Sequence, residues 1–177
     1  MQNCSIDENR NLHITASTHS SKNYFDFYEG SWIIRNRKLN HRLGNSDEWT
    51  EFEAKQQMNI ILLGLGNTDN FSARINDDPF EGRTIRLFDP KTKLWSMYWT
   101  DSSHPILQPP TVGSFEGPIG KFYCKDRFEE QDIIVEFLWD KTDVEHPMWS
   151  QAFSADNGET WETNWYMYMR REVHLNS

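Results

Sequence analysis

Histidines, cysteines and carboxylates carry most metal and acid–base chemistry, and this chain scatters its own. The six histidines are His13, His19, His41, His104, His146 and His174. No two stand two or four residues apart, the spacings that put a pair of imidazoles on one face of a strand or helix. His13, His19 and His174 lie in polar tails. His104 and His146 each precede a proline, Pro105 and Pro147, which holds them in loops at strand ends. Exposed loop histidines are the expectation there, with an inward-facing one as the alternative. Cys4 and Cys124 make neither a C-x-x-C pair nor a zinc pattern, and in a reducing compartment they are expected as free thiols. No nucleophile–base pair and no metal set can be assembled from spacing, so no catalytic residue and no metal ligand is assigned.

One stretch does have motif spacing. Residues 154–161, SADNGETW, fit the Asp-box pattern Ser-x-Asp-x-Gly-x-Thr-Trp that recurs in sialidases and other β-propellers. A sugar-cleaving propeller needs several copies about 40–50 residues apart, and an arginine cluster to hold a carboxylate. This chain has a single copy. Its residues suit a hairpin instead: Asp156 caps backbone amides, Gly158 supplies a positive φ, and Trp161 packs against the base of the turn. The glycines of LLGLG (62–66) form no phosphate loop, because no Lys-Ser/Thr end and no helix follow; glycine inside a strand marks a bend.

The elements that position these residues are read from composition and alternation. The chain's 177 residues suit one domain with a real core. Aromatics make up 14% of the residues, which favours pleated, half-buried surfaces. The mean hydropathy of -0.79 and the absence of an apolar run of roughly 18 residues argue against a spanning helix. A formal charge of -9 repels phosphate backbones, so no nucleic-acid partner is expected. Residues 1–22 are polar, without a period and without the apolar centre of a signal peptide. They are read as a flexible leader of a cytoplasmic protein, ahead of a domain over residues 23–174.

After Gly30 the pattern alternates with period two and breaks at Gly/Pro/Asn/Asp clusters. Strands are expected over 31–39, 48–58, 59–66, 69–75, 82–89, 93–101, 110–117, 120–128, 132–141, 148–155 and 160–172. Ile133, Val135, Phe137 and Trp139 share a phase, as do Trp95, Met97 and Trp99. So do Trp161, Thr163, Trp165, Met167, Met169 and Arg171, with Asn164 in the opposite phase. About ten such strands define an all-β fold, a single antiparallel up-and-down β-barrel with aromatic and methionine side chains inside.

Gly30-Ser31-Trp32, following a short turn that carries Phe25 and Phe27, resembles the start of lipocalin-like (calycin) barrels. The resemblance implies that Trp32 closes one end of the barrel and that Arg171 packs across it. The segments FDFYEGSW, RKLNHRLGNSDEWTEFEA, LLGLGN, IRLFDPKTKLWSMYWTDS, PPTVGSFEG and QAFSADNGETWETNW resemble, in order, the calycin-like bacterial family domain-of-unknown-function 1579. That likeness implies the barrel and supplies no reaction. Relatives often carry histidine where this chain has Asn36, which removes the imidazole a metal or heme site would use there. A heme site like that of the related nitrobindin barrels would need a loop histidine turned inward.

Polar residues in the inward phases point to a ligand or an internal network. Asn36 and Lys38 share a phase with Trp32, Gln151 with Trp149 and Phe153, and Arg86 with Thr84 and Phe88. Which face of 82–89 points inward is left open. The expected function is binding of a small apolar or aromatic ligand, with Trp32, Asn36, Trp99, Phe137, Trp139, Gln151 and Trp165 as candidate lining. An enzyme acting inside the barrel is the first alternative, and its sign would be an inward Asp/Glu–His or Arg–carboxylate pair. A solid barrel that pairs two copies through a sheet edge is the second. No cofactor is expected beyond the heme alternative, and no membrane partner.

Overall fold

In the computed structural model, which describes residues 3–172, period-two alternation produces ten strands that close on themselves. They are β3 (Gly30–Leu39), β4 (Trp49–Ile61), β5 (Gly66–Ile75), β6 (Asp78–Asp89), β7 (Leu94–Asp101), β8 (Thr111–Glu116), β9 (Ile119–Phe128), β10 (Gln131–Asp140), β11 (Met148–Ser154) and β12 (Glu162–Arg171). Each pairs antiparallel with the next, and β12 returns to β3 with Met169 opposite Ile34 and Arg171 opposite Trp32. This is the up-and-down all-β barrel expected from the alternation. Closure gives every barrel strand a paired neighbour on both sides over at least part of its length. His174 and the end of the expected 23–174 domain lie outside the described residues.

Three local readings differ. Residues 3–15 of the segment read as a flexible leader form a hairpin of β1 (Asn3–Ile6) and β2 (Leu12–Thr15). Asp7 organises its turn by accepting the amides of Asn9 and Asn11 at 2.9 and 2.8 Å. The hairpin is anchored by Ser17, whose amide donates to Ser114 Oγ at 2.9 Å, and by Ser20, whose hydroxyl donates to Lys93 O at 2.7 Å. Such long-range anchors are invisible to a periodicity test.

The second difference concerns 59–66, expected as a separate strand. β4 runs on to Ile61, and Leu62–Gly64 is a tight turn with φ of 53° at Leu62 and 56° at Leu63. An apolar run looked like a buried strand, yet Leu63 is 97% exposed. Third, the β11–β12 ladder slips by one residue, from Gln151 opposite Trp165 to Ala152 opposite Thr163. The extra residue, Asn164, is fully buried instead of lying on the outer face with its alternation partners. A bulge of this kind breaks the two-residue period locally.

One end of the barrel is sealed by a 3-10 segment, Lys22–Tyr28. It starts at Ser21, whose side chain accepts the amide of Asn23, and it drives the fully buried Phe25 and Tyr28 into the barrel. Phe25 meets Trp95, Phe115 and Trp139 edge-on at 5.0, 5.0 and 5.5 Å. Lys141 donates to Tyr24 O at 2.7 Å and lies over the Tyr24 ring at 4.3 Å, which fastens the segment to the end of β10. Trp32 donates its indole N–H to Tyr28 O at 2.8 Å, and the Arg171 guanidinium lies 4.0 Å above its ring. Arg171 also donates to the carbonyls of Phe27 and Glu29. Gly30, at a φ of 106°, passes beneath it, where a Cβ would lie 3.2 Å from an Arg171 nitrogen.

Candidate ligand-binding cavity

The opposite half of the barrel is not filled. A cavity of about 590 Å³ extends from the barrel's middle to its open end. Residues of every strand from β4 to β12 border it. Ring contacts fix their positions: Phe137 meets Trp149 at 4.9 Å, Trp149 meets Trp165 at 5.8 Å, and Trp99 meets Phe71 at 6.2 Å. Gly82 makes room for Trp99, since a Cβ there would fall 2.0 Å from the indole ring. The indole N–H of Trp99 donates to Asp101 Oδ2 at 2.8 Å.

Of the seven residues expected to line the interior, Trp99, Phe137, Trp139, Gln151 and Trp165 border the cavity. Trp32 and Asn36 face inward at full burial but do not reach it. Trp32 is covered by Tyr28, whose ring stacks on it at 5.1 Å. Asn36 lies behind Trp165, accepting its indole N–H at 3.0 Å and donating to Ile34 O at 3.4 Å. Gln151 donates to the buried Asn164 at 2.8 Å, so part of its polar capacity serves an internal bond.

The floor holds the site's main charged group. Arg86, on the face of β6 that alternation left open, points inward and is 3% exposed. It is paired with the fully buried Asp69 and donates to Asn67 Oδ1 at 2.9 Å. Strand register causes this, since Asn67 and Asp69 of β5 stand opposite Arg86 and Thr84 of β6. The guanidinium also lies 5.2 Å from the Phe25 ring and 5.4 Å from Trp139. Beside it, Tyr28 donates to Gln56 Oε1 at 2.6 Å. Burial, and then the charge of Asp69, hold the Tyr28 phenol above its ordinary pKa. Buried Arg–carboxylate pairs cost desolvation, and they hold together because removing one partner strands the other.

Toward the open end, Arg42 spreads over Phe128 and Phe153 at 5.7 and 5.6 Å. The loop carrying it is pinned where the Leu43 amide donates to the Glu162 carboxylate at 2.7 Å. Lys38 lies 4.4 Å above the Trp165 ring, and burial lowers its pKa to about 8. Cys124 borders the cavity, but burial pushes its thiol up to about 12, which makes it a poor nucleophile. Among the described residues only one histidine, His104, borders the cavity. It sits in an exposed loop with its ring nitrogen 3.8 Å from Asp101. Heme held by an inward histidine does not fit these residues, and among them no three His, Cys, Asp or Glu side chains gather as a metal set.

The Asp-box is a turn, as its spacing suggested. Asp156 accepts the Ser154 hydroxyl at 2.8 Å and the Thr160 amide and hydroxyl at 2.9 and 2.5 Å. Gly158 adopts a φ of 88°, and Trp161 donates back to its carbonyl at 3.1 Å. These bonds hold the Asp156 carboxyl at a pKa of about 2. None of its residues borders the cavity.

The barrel and its sealed end place the chain among all-β, lipocalin-like folds. No protein-family model matches it, and no curated protein matches it. Among solved structures it is similar to the S-type phycobiliprotein lyase CPES from Guillardia theta, with a TM-score of 0.60. The likeness covers 89% of this chain and 95% of that one at 9% sequence identity, and at that identity it shows the fold alone. No helix among the described residues is long and apolar enough to cross a membrane.

Proposed function

We propose that the protein binds a small, mostly apolar or aromatic molecule inside its barrel. The observation that carries this is the cavity of about 590 Å³ walled by Trp99, Phe137, Trp139, Trp149 and Trp165. Small-molecule sites have volumes of about 300–1,000 Å³, with apolar walls and a few placed polar groups. Here the placed groups are Gln56, Thr84, Arg86 and Gln151. The fold shared with a phycobiliprotein lyase supports including flat, conjugated pigments in the first screen. The likeness to domain-of-unknown-function family 1579 rests on the motif segments alone and adds no ligand. Native mass spectrometry of freshly purified protein, with and without denaturation, tests the reading together with an absorption scan. Extra mass released on denaturation, or quenching of tryptophan fluorescence by added aromatics, is the expected result. A protein that carries no mass and whose tryptophans respond to no aromatic probe would overturn it.

One observation favours a second reading, an enzyme acting inside the barrel. Arg86 and Asp69 form a buried arginine–carboxylate pair at the cavity floor. Arg86 borders the cavity and Asp69 lies behind it, which suits charge stabilisation by the guanidinium better than proton transfer by the carboxylate. Turnover of a bound ligand that disappears in Arg86→Met, with binding retained, would establish this reading over simple binding.

A further inference from the structure

The cavity's border changes character around the barrel. On β10 and β11 alternate residues line it: Ile133, Val135, Phe137 and Trp139, then Trp149, Gln151 and Phe153. That is the pattern of an intact wall, seen from inside. On β7 and β9 consecutive residues line it, Met97–Trp99 and Cys124–Phe128. Neighbouring side chains of a strand point to opposite faces, so a cavity touching both phases passes through the wall.

The ladders show why. β8 pairs with β7 only across Trp95–Met97 and with β9 only across Ile119–Tyr123. β7 continues to Asp101 and β9 to Phe128 with no strand between them. Pro109 and Pro110 immediately precede β8, and they lack the amides that would extend its ladder. The loop 102–110 is tied to the β6–β7 side, through Ser102 N to Glu81 O at 2.8 Å and Gln108 N to Trp99 O at 3.0 Å. It leaves Ile106 and Leu107 68% and 60% exposed at the opening.

From this we infer that the slot between β7 and β9 is a binding element, taking the hydrogen-bond-accepting end of an elongate ligand whose apolar body lies in the barrel. The inference rests on the binding reading above. Antiparallel strands bond each neighbour through alternate residues, so half the amides and carbonyls over 124–128 face the slot with no strand opposite. Two carboxylates at the slot keep their charge but are tied to neutral donors of the chain itself. Asp101 accepts Trp99, Ser103 and His104, and Asp126 accepts the Arg127 amide at 2.7 Å. Arg127 donates to Glu130 O at 3.3 Å, whereas the Lys125 ammonium, at the cavity border, has no partner among the described residues and is the donor for an acceptor such as a carboxylate or carbonyl oxygen. The run Lys125-Asp126-Arg127 also guards the strand edge, because charged edges resist pairing with another chain. A small molecule fits the slot better than an added strand.

Two probes test it by titration calorimetry: naphthalene, which fits within the barrel, and phenylundecanoic acid, whose carboxylate reaches beyond it. Two variants close the slot differently. Lys125→Trp places an indole over it from an exposed position, and Pro109→Thr with Pro110→Val lets β8 lengthen. The expected result is that phenylundecanoic acid binds each variant about tenfold more weakly, the loss of one charge-assisted hydrogen bond. Naphthalene binds all three proteins to within about twofold. Equal affinity for the long probe in all three proteins overturns the slot and leaves barrel binding intact. A parallel loss of both probes places the effect inside the barrel and overturns it too. Failure of both probes to bind the unmodified chain removes the binding reading and the slot together.

Discussion

The two ends of the barrel are built from the same strands and do opposite things. At the sealed end each large side chain has a partner: Trp32 lies between Tyr28 and Arg171, and Phe25 fills the centre of an aromatic cluster. At the open end β8 stops short, Phe128 and Phe153 cover only one side under Arg42, and the cavity reaches solvent. The difference teaches that the sealed end and the polar floor carry the fold, which frees the rim to hold a site. Stability and binding should therefore respond to different residues.

The largest expected effect comes at the junction of the two halves. Asp69→Leu strands Arg86 in the interior and should lower unfolding stability by about 3–5 kcal/mol in a urea titration. Adding Arg86→Met to it should recover most of the loss, because the pair is replaced by packed apolar groups. Little recovery would show that the pair does more than neutralise itself. At the sealed end, Trp32→Ala removes a fully buried indole and should cost about 3–5 kcal/mol, with probe binding per folded molecule unchanged. Binding lost in step with stability would break the contrast between the ends.

At the open end, Gly82→Ala forces the Trp99 indole to move, at a cost of about 1–3 kcal/mol. Its main result should be altered tryptophan emission and weaker ligand binding. The smallest effect is a pH dependence. Burial lowers Lys38 at the open end and Lys141 at the sealed end from 10.5 to about 8. The unfolded chain then binds more protons than the folded one above that value, so stability rises with pH. The thiols of Cys4 and Cys124, which burial raises from an ordinary value of 9.0, oppose this rise increasingly between pH 8 and 9, so the lysines are read from the difference between two proteins that share both thiols. Lys38→Met with Lys141→Met should flatten this rise in thermal melts recorded from pH 8 to 9.

The barrel was legible because its signal repeats in every strand, and a few misread residues cannot hide a period carried by ten strands. The site was half legible. Alternation tells which face a residue occupies and not how far along the barrel it sits. Trp139 and Trp32 are both inward, yet only Trp139 stands high enough to meet the cavity. Arg86 was unreadable for another reason: an arginine goes inward only where a counter-charge waits, and Asp69 is supplied by the neighbouring strand. Asn164 was misplaced by a bulge, which shifts phase without any mark in composition. The slot was hidden in plain residues. Pro109 and Pro110 were visible, but their consequence depends on how far β7 and β9 outrun β8.

The Arg171–Trp32 clamp has a topological consequence. β12 lies beside β3, and the Glu172 amide donates to Ser31 O at 3.0 Å, so the barrel's last strand meets its first. A ring of hairpins joined in this way has no privileged starting strand. Joining the end of β12 back to β1 through an added linker, and reopening the chain at the exposed Leu62–Gly64 turn, would give a circular permutant that keeps each of the ten ladders and the Lys22–Tyr28 seal. The order in which the strands are made would change, while the barrel they close would not.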